Sequence, residues 1–143
     1  IAEIINNTWF RRKFGNLFCE TDLKILTGRK RQNMAYALGT DELSFPPVFR
    51  NLPLILHELT HIIIERLTWV VAFRKSYNTH GRMFSFIYLE LVKKFIGKKE
   101  HGILKESYKE HGVKFQNRRL LTSSQKKVLR ERFIKSVKKV ESK

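Results

Sequence analysis

The chain has 143 residues, of which 42% are hydrophobic, and a formal net charge of +16. This length and composition predict one domain with a modest core, and the single cysteine, Cys19, excludes an internal disulfide framework and disfavours cysteine ligation of a metal. Because the sequence shows no transmembrane span, signal peptide or lipidation signal, we expect an intracellular protein, either cytoplasmic, nucleoid-associated or virion-associated.

The first third of the chain predicts a short helix followed by three strands. Apolar residues of the expected helix over residues 1–10 share one face, and they are Ile1, Ile4, Ile5 and Trp9. Three segments have strand character, and they are residues 22–27, 33–38 and 42–45. The turn-like sequence 28–31 separates the first two segments, and two prolines follow the third. These features favour a small antiparallel sheet.

The next segment predicts a long helix at the centre of the domain. Residues 51–53 offer a polar start and a proline in the first turn, and the run 54–71 contains neither glycine nor proline. Apolar residues cover a broad sector of this helix, and they are Ile55, Leu56, Leu59, Ile62, Ile63, Leu67 and Val70. A sector this wide indicates burial on more than one side.

Residues 57–61 of this helix read H-E-L-T-H, which is an H-E-x-x-H motif. Positions i and i+4 of a helix share a face, so the imidazoles of His57 and His61 can bind one metal ion with Glu58 beside it. Neutral imidazoles suit Zn2+, and a nearby carboxylate can accept a proton from water during hydrolysis. The alternative is that both histidines are satisfied residues of a buried helix and that Glu58 is a surface charge.

A third metal ligand must come from elsewhere in the chain. The metzincin motif requires a glycine and a histidine where this sequence has Ile64 and Leu67, so that class is excluded. Three histidines remain, and each precedes a glycine. His80 precedes an amphipathic helical run that Asn78 or Thr79 could cap, so a ligand there would lie at the start of a helix packed on the first.

The other candidates have simpler explanations. His111, followed by Gly112, ends the run 103–110 and fits the C-terminus of a helix. His101 follows a polar turn at residues 97–100 and is most simply a solvated loop residue. Glu90 is the fallback ligand, because some zinc peptidases use a downstream glutamate, and His80 itself could be an ordinary histidine at the start of a helix.

These motifs resemble the SprT-like zinc metallopeptidases, in which H-E-x-x-H is followed by H-G-x-x-F. Here H-G-R-M-F begins at His80, after eighteen intervening residues, and the similarity covers residues from about 20 to 112. The family includes Spartan-type proteases that degrade proteins crosslinked to DNA, and small bacterial and phage metallopeptidases of unknown substrate. Arg82 and Met83 replace the proline and glutamate that are common in the second motif, and no cysteine-rich zinc ribbon follows.

The resemblance implies a zincin-like α+β fold over residues 1–112, with a small antiparallel sheet packed on the motif helix and further helices after it. It also implies one Zn2+ per chain held by His57, His61 and His80, with Glu58 as general base acting on a protein or peptide substrate. In zincins an edge strand beside the motif helix binds substrate as an added strand. The sequence leaves open which strand is that edge.

The remaining residues, 113–143, predict a basic amphipathic helix. Residues 112–143 hold 11 of the 29 Lys and Arg residues and 2 of the 13 acidic residues, so this tail carries more than half of the net charge. We expect it to contact nucleic-acid phosphates without sequence readout, and the candidate residues are Lys126, Lys127, Arg130, Lys135, Lys138 and Lys139. The alternatives are a solvated helix, or one that binds an acidic protein or a membrane surface.

Two functions follow from these patterns. The first is a zinc-dependent endopeptidase with DNA-associated proteins as candidate substrates. In this function Glu58 accepts a proton from the attacking water, and Tyr77 is the nearest candidate for a hydrogen-bond donor to the transition state. The second is a nucleic-acid-associated or virion-associated binding protein that keeps a zincin fold with little or no turnover. The intact Glu58 favours the enzyme.

Overall fold

The computed structural model describes residues 1–14, 18, 23–27, 34–38, 41–47, 50–71 and 80–115, together with positions 124, 127 and 131. For residues 68–71 only the backbone is described. Within these residues the fold is mixed α+β, with five helices and one three-stranded sheet. None of the described helices is both long enough and apolar enough to cross a membrane.

The sheet comprises β1 (Lys24–Leu26), β2 (Tyr36–Leu38) and β3 (Glu42–Ser44), in the order β1-β3-β2. β2 pairs with β3 antiparallel, whereas β1 pairs with β3 parallel, so the predicted antiparallel sheet is wrong in its topology. Connection length explains the difference. Only three residues separate β2 from β3, as in a hairpin, whereas fifteen separate β1 from β3, which is enough for a crossover into parallel pairing.

The N-terminal segment forms two helices rather than the single helix predicted, namely α1 (Ala2–Asn6) and α2 (Thr8–Phe14). The break lies at Asn7, whose backbone is extended and whose side-chain oxygen accepts a hydrogen bond from the Trp9 N–H at 3.0 Å. This is an N-cap, which favours a new helix start over continuation. The deepest residues of this segment are Phe10 and Phe14, which the predicted apolar face did not include.

The central helix is confirmed as α3 (Leu52–Val71). The Asn51 side chain caps it by accepting a hydrogen bond from the Leu54 N–H at 3.0 Å. Five residues of the predicted apolar sector are buried in the core, and they are Leu56, Leu59, Ile62, Ile63 and Leu67. Ile55 is half-buried, and the side chain of Val70 lies outside the described residues. α3 packs against α4 on one side and against β2 and β3 on another.

Two further helices follow, α4 (Arg82–Phe95) and α5 (Lys98–Glu110). The N-cap residue of α4 is Gly81, not the predicted Asn78 or Thr79, both of which lie outside the described residues. α5 begins five residues before the predicted run 103–110, so His101 lies on a helix and not in a solvated loop. The predicted helix end is confirmed, with His111 at the C-cap and Gly112 at a φ of 66°, a conformation that favours glycine.

The basic tail falls almost entirely outside the described residues. Ser124, Lys127 and Glu131 have helical backbone and exposed side chains, and their spacing places them on one face of a helix. The predicted amphipathic helix, the domain boundary at residue 112 and all six candidate nucleic-acid contacts, Lys127 included, stay predictions.

Candidate metal centre

Three histidines from two neighbouring helical segments converge at one point. His57 and His61 lie one turn apart on α3, and their Nε2 atoms are 3.3 Å apart. His80 lies just before α4, and its Nε2 is 3.2 Å from that of His57. One ring nitrogen from each of the three residues lies within 4.8 Å of the other two. The structure therefore brings together all three metal ligands that the sequence predicted.

Hydrogen bonding alone does not account for this convergence. A ring nitrogen carries either a proton or one lone pair, so the Nε2 of His57 cannot make a full hydrogen bond to both neighbours at once. A shared cation resolves the conflict, because all three nitrogens can direct lone pairs at it. Tetrahedral coordination with bonds of about 2.0–2.1 Å separates two nitrogens by about 3.3–3.4 Å, close to the two distances observed. The three histidines can thus hold a metal ion.

An aromatic side chain on α4 supports the three imidazoles. The buried ring of Phe84 lies with its centroid 4.8 Å from that of His57, 4.7 Å from that of His61 and 4.8 Å from that of His80. Tyr88 stacks on Phe84, and its hydroxyl donates to the carbonyl oxygen of Pro53 at 3.2 Å. These contacts fix the ring orientations and tie α4 to the start of α3.

The sequence presented Phe84 only as the last residue of the H-G-x-x-F motif, and it indicated no place beside the histidines for Phe84 or Tyr88. One signal could have pointed to that place. Phe84 completes the H-G-x-x-F motif that begins with His80, so the motif itself links this ring with the candidate third ligand.

The surroundings favour the neutral form of the two histidines of α3. Burial lowers the pKa of His61 from 6.5 to about 4, with further lowering by His57 and His80. Burial also lowers the pKa of His57, and His80 adds to that effect. Neutral imidazole is the form that binds metals, so these shifts favour metal binding near neutral pH and below it.

Glu58 is buried next to this group, with 7% of its surface exposed. The alternative that it is a surface charge is therefore wrong. Its carboxylate accepts a hydrogen bond from the backbone N–H of Ala37 in β2. Burial raises the pKa of Glu58, and the bond from Ala37 partly opposes this rise. The group thus has greater proton affinity than an ordinary glutamate.

An open cavity of about 310 Å³ borders the three histidines and Glu58. Its lining residues are Ala35, Tyr36, Ala37, His57, Glu58, His61, Glu65 and His80. β2 is an edge strand of the sheet, and it is the strand that borders this cavity. The edge beside the motif helix, which the sequence left open, is therefore β2.

The other candidate residues do not join the site. Glu90, the fallback ligand, lies in an ion pair with Lys13 at 2.6 Å and is outside the histidine group, so this expectation is wrong. His101 lies on α5 near Lys93 and Lys105, and the Nδ1 of His111 is 2.8 Å from a backbone oxygen of its own helix. The predicted donor Tyr77, like Cys19, lies outside the described residues.

In comparisons with known proteins, no protein-family model, curated protein or solved structure matches the chain.

Proposed function

We propose that this protein is a zinc-dependent metallopeptidase. The observation that carries the proposal is the convergence of three imidazole nitrogens beside a buried carboxylate, in an open cavity bordered by an edge strand. A ligand group, a proton acceptor and a place for an extended substrate are the three parts that metal-assisted peptide hydrolysis needs.

The donor set favours zinc over Mg2+ and Ca2+. Three neutral imidazoles suit Zn2+, and a three-ligand site leaves a coordination position for water or substrate, as in catalytic rather than structural zinc sites. Mg2+ and Ca2+ prefer oxygen ligands, and no carboxylate among the described residues belongs to the histidine group. When bound, zinc would supply Lewis-acid polarisation of the substrate carbonyl and would lower the pKa of water.

In this proposal Glu58 transfers a proton from the attacking water to the leaving amine. Its raised pKa and its place in the cavity wall suit a group that accepts a proton from the attacking water and later donates it to the leaving amine. The hydrogen bond from Ala37 holds the carboxylate at the wall formed by β2. An extended peptide that pairs with β2 would place its backbone alongside Glu58 and the three histidines.

The proposed family is that of the SprT-like metallopeptidases with a zincin-like core. Support comes from the spacing of the two motifs and from Phe84, the last residue of the second motif, which contacts all three imidazoles. The mixed sheet and the helices after the motif helix are compatible with an α+β core of this kind.

The decisive experiment compares the wild type with Glu58→Gln on casein, after loading both with zinc. We expect the wild type to cleave casein and the variant to bind one zinc per chain while losing at least about a hundredfold in rate, because general-base catalysis contributes about 10²–10⁴-fold. Glu110→Gln is a matched control, since it removes the same charge from an exposed residue that does not line the cavity. Equal cleavage by the wild type and Glu58→Gln would refute the proposed role.

Nucleic-acid association through the tail is a second proposal, carried by the charge of residues 112–143. Deletion of residues 120–143 should weaken binding to duplex DNA, and wild-type affinity should fall steeply with salt because phosphate contacts release counterions. Affinity that is indifferent to salt or to the deletion would contradict this proposal. A wild type that binds DNA and zinc but cleaves nothing would instead support the binding-protein alternative.

A further inference from the structure

A second carboxylate borders the cavity, and the proposed reaction does not use it. Glu65 follows Glu58 by seven residues and His61 by four, so the three side chains lie along one face of α3. Glu65 is exposed and is outside the histidine group. Within the described ranges, the ion pairs involve Lys13, Lys24 and Lys109, and none includes Glu65. Its charge is therefore available to a ligand in the cavity.

The wall formed by β2 has a different character. Ala35, Tyr36 and Ala37 line it with two small apolar side chains and one aromatic ring. The Tyr36 hydroxyl donates to an oxygen of Glu42 at 3.4 Å, so its polar end is engaged within the sheet. The cavity thus combines an apolar wall with an exposed carboxylate.

The charged side chains that line the cavity are opposite in sign to the net charge of the chain. The chain has 29 Lys and Arg residues against 13 acidic residues, yet the charged residues that line the cavity are two glutamates, with no Lys or Arg among its described lining. Bound zinc would offset this negative charge near the histidines, so a cationic side chain meets attraction locally at Glu65, which is outside the histidine group.

We propose that Glu65 is a specificity-determining residue, which makes the cavity prefer peptide segments with a lysine or arginine side chain close to the scissile bond. The inference rests on the proposed peptidase function. Lysine and arginine carry an apolar stem and a charged head, which matches a cavity that combines an apolar wall with an exposed carboxylate. An acidic substrate side chain would instead face repulsion from Glu65.

The size of the preference follows from exposure. Because Glu65 is exposed, its attraction for a cation resembles that of a surface ion pair, which corresponds to about a twofold to fivefold preference. Glu65→Lys should repel a cationic substrate side chain by a similar amount. The selectivity between lysine and glutamate substrates should therefore change by about tenfold or more on charge reversal.

The test uses zinc-loaded full-length protein and fluorogenic peptides that differ only in lysine, norleucine or glutamate, placed in turn at the three positions on each side of the bond. Norleucine keeps the length of the lysine stem without its charge. We expect kcat/KM of the wild type to be highest for lysine at one or more positions. Glu65→Gln should abolish the difference between lysine and norleucine, Glu65→Lys should favour the glutamate peptide, and Glu110→Gln should match the wild type.

The outcomes separate this inference from the proposed function. Cleavage with no preference for lysine, or a preference that survives Glu65→Gln, overturns the role of Glu65 and leaves the peptidase intact. If zinc-loaded wild type cleaves neither casein nor any peptide, the peptidase proposal fails. Fluorescence anisotropy of the same peptides with Glu58→Gln then gives a readout that needs no turnover. Equal affinity for lysine and norleucine peptides there would overturn the role of Glu65 as well.

Discussion

Replacement of His80 by alanine tests the metal centre most directly. His80 is exposed, so its removal leaves no void in the core, and we expect the stability of the metal-free protein to change little. Its Nε2 lies 3.2 Å from that of His57, so the same change removes one of three converging nitrogens. The perturbation therefore separates metal affinity from folding.

The expected loss can be estimated from the number of ligands. Structural zinc sites with four ligands have apparent binding free energies of about 10–16 kcal/mol, or about 2.5–4 kcal/mol for each ligand. Loss of one imidazole should thus weaken zinc binding by between about sixtyfold and several hundredfold. Most of this range exceeds the loss caused by a mutation behind the ligands, which is typically about 10–100-fold.

The assay is competition for zinc with a chromophoric chelator, and urea denaturation of the metal-free proteins measures folding. His101→Ala is the matched control, because it removes a histidine of α5 that is outside the metal group. Zinc affinity of His80→Ala within about threefold of wild type, together with one zinc per chain, would refute the third ligand. A large loss in Glu90→Gln instead would revive the ligand that the ion pair with Lys13 argues against.

Three further predictions concern stability and pH. Phe84→Leu should weaken zinc binding by about tenfold through loss of its contacts with the imidazoles, whereas Ile87→Val, also buried on α4, should reduce the urea midpoint without changing zinc affinity. Asn51→Ala should cost about 1 kcal/mol in urea denaturation by removing the cap on α3, and Asn51→Asp should restore it; equal midpoints for Asn51→Ala and wild type would contradict the cap. The pKa of His61 is lowered from 6.5 to about 4 in the folded protein, so as the pH falls the unfolded chain binds a proton at this residue before the folded protein does. The metal-free wild type should therefore lose stability relative to His61→Asn as the pH falls from 6.5 to 4. Parallel pH profiles of the two proteins would argue against this shift in pKa.

Most of what concerns α3 could be predicted from the sequence. The spacing of His57 and His61 is local, because the geometry of one helical turn brings residues i and i+4 to the same face whatever surrounds the helix. The burial of Leu59 and Ile63 likewise follows from the width of the apolar sector. The break at Asn7 was also local, but its capping competed with an apolar pattern that runs across it, and the pattern alone was misleading.

The topology of the sheet could not be predicted from local sequence patterns. Strand character in the three segments was recognisable, but the order β1-β3-β2 depends on which strands meet after fifteen residues of connection. The alternation of apolar and polar residues within a strand carries no information on which strand pairs with it. The same limit applied to the edge strand beside the motif helix, since β2 became recognisable as that strand only through its contact with α3.

The sequence by itself determined that two histidines and a glutamate share a helix, and it limited the candidates for a third metal ligand to a few residues. Only the tertiary structure brought His80 within 3.2 Å of His57, buried Glu58 against Ala37 and left Glu65 exposed at the cavity. The physical reason is distance along the chain. Residues four apart are fixed by the helix that they share, whereas residues twenty or more apart meet only when helices and strands pack.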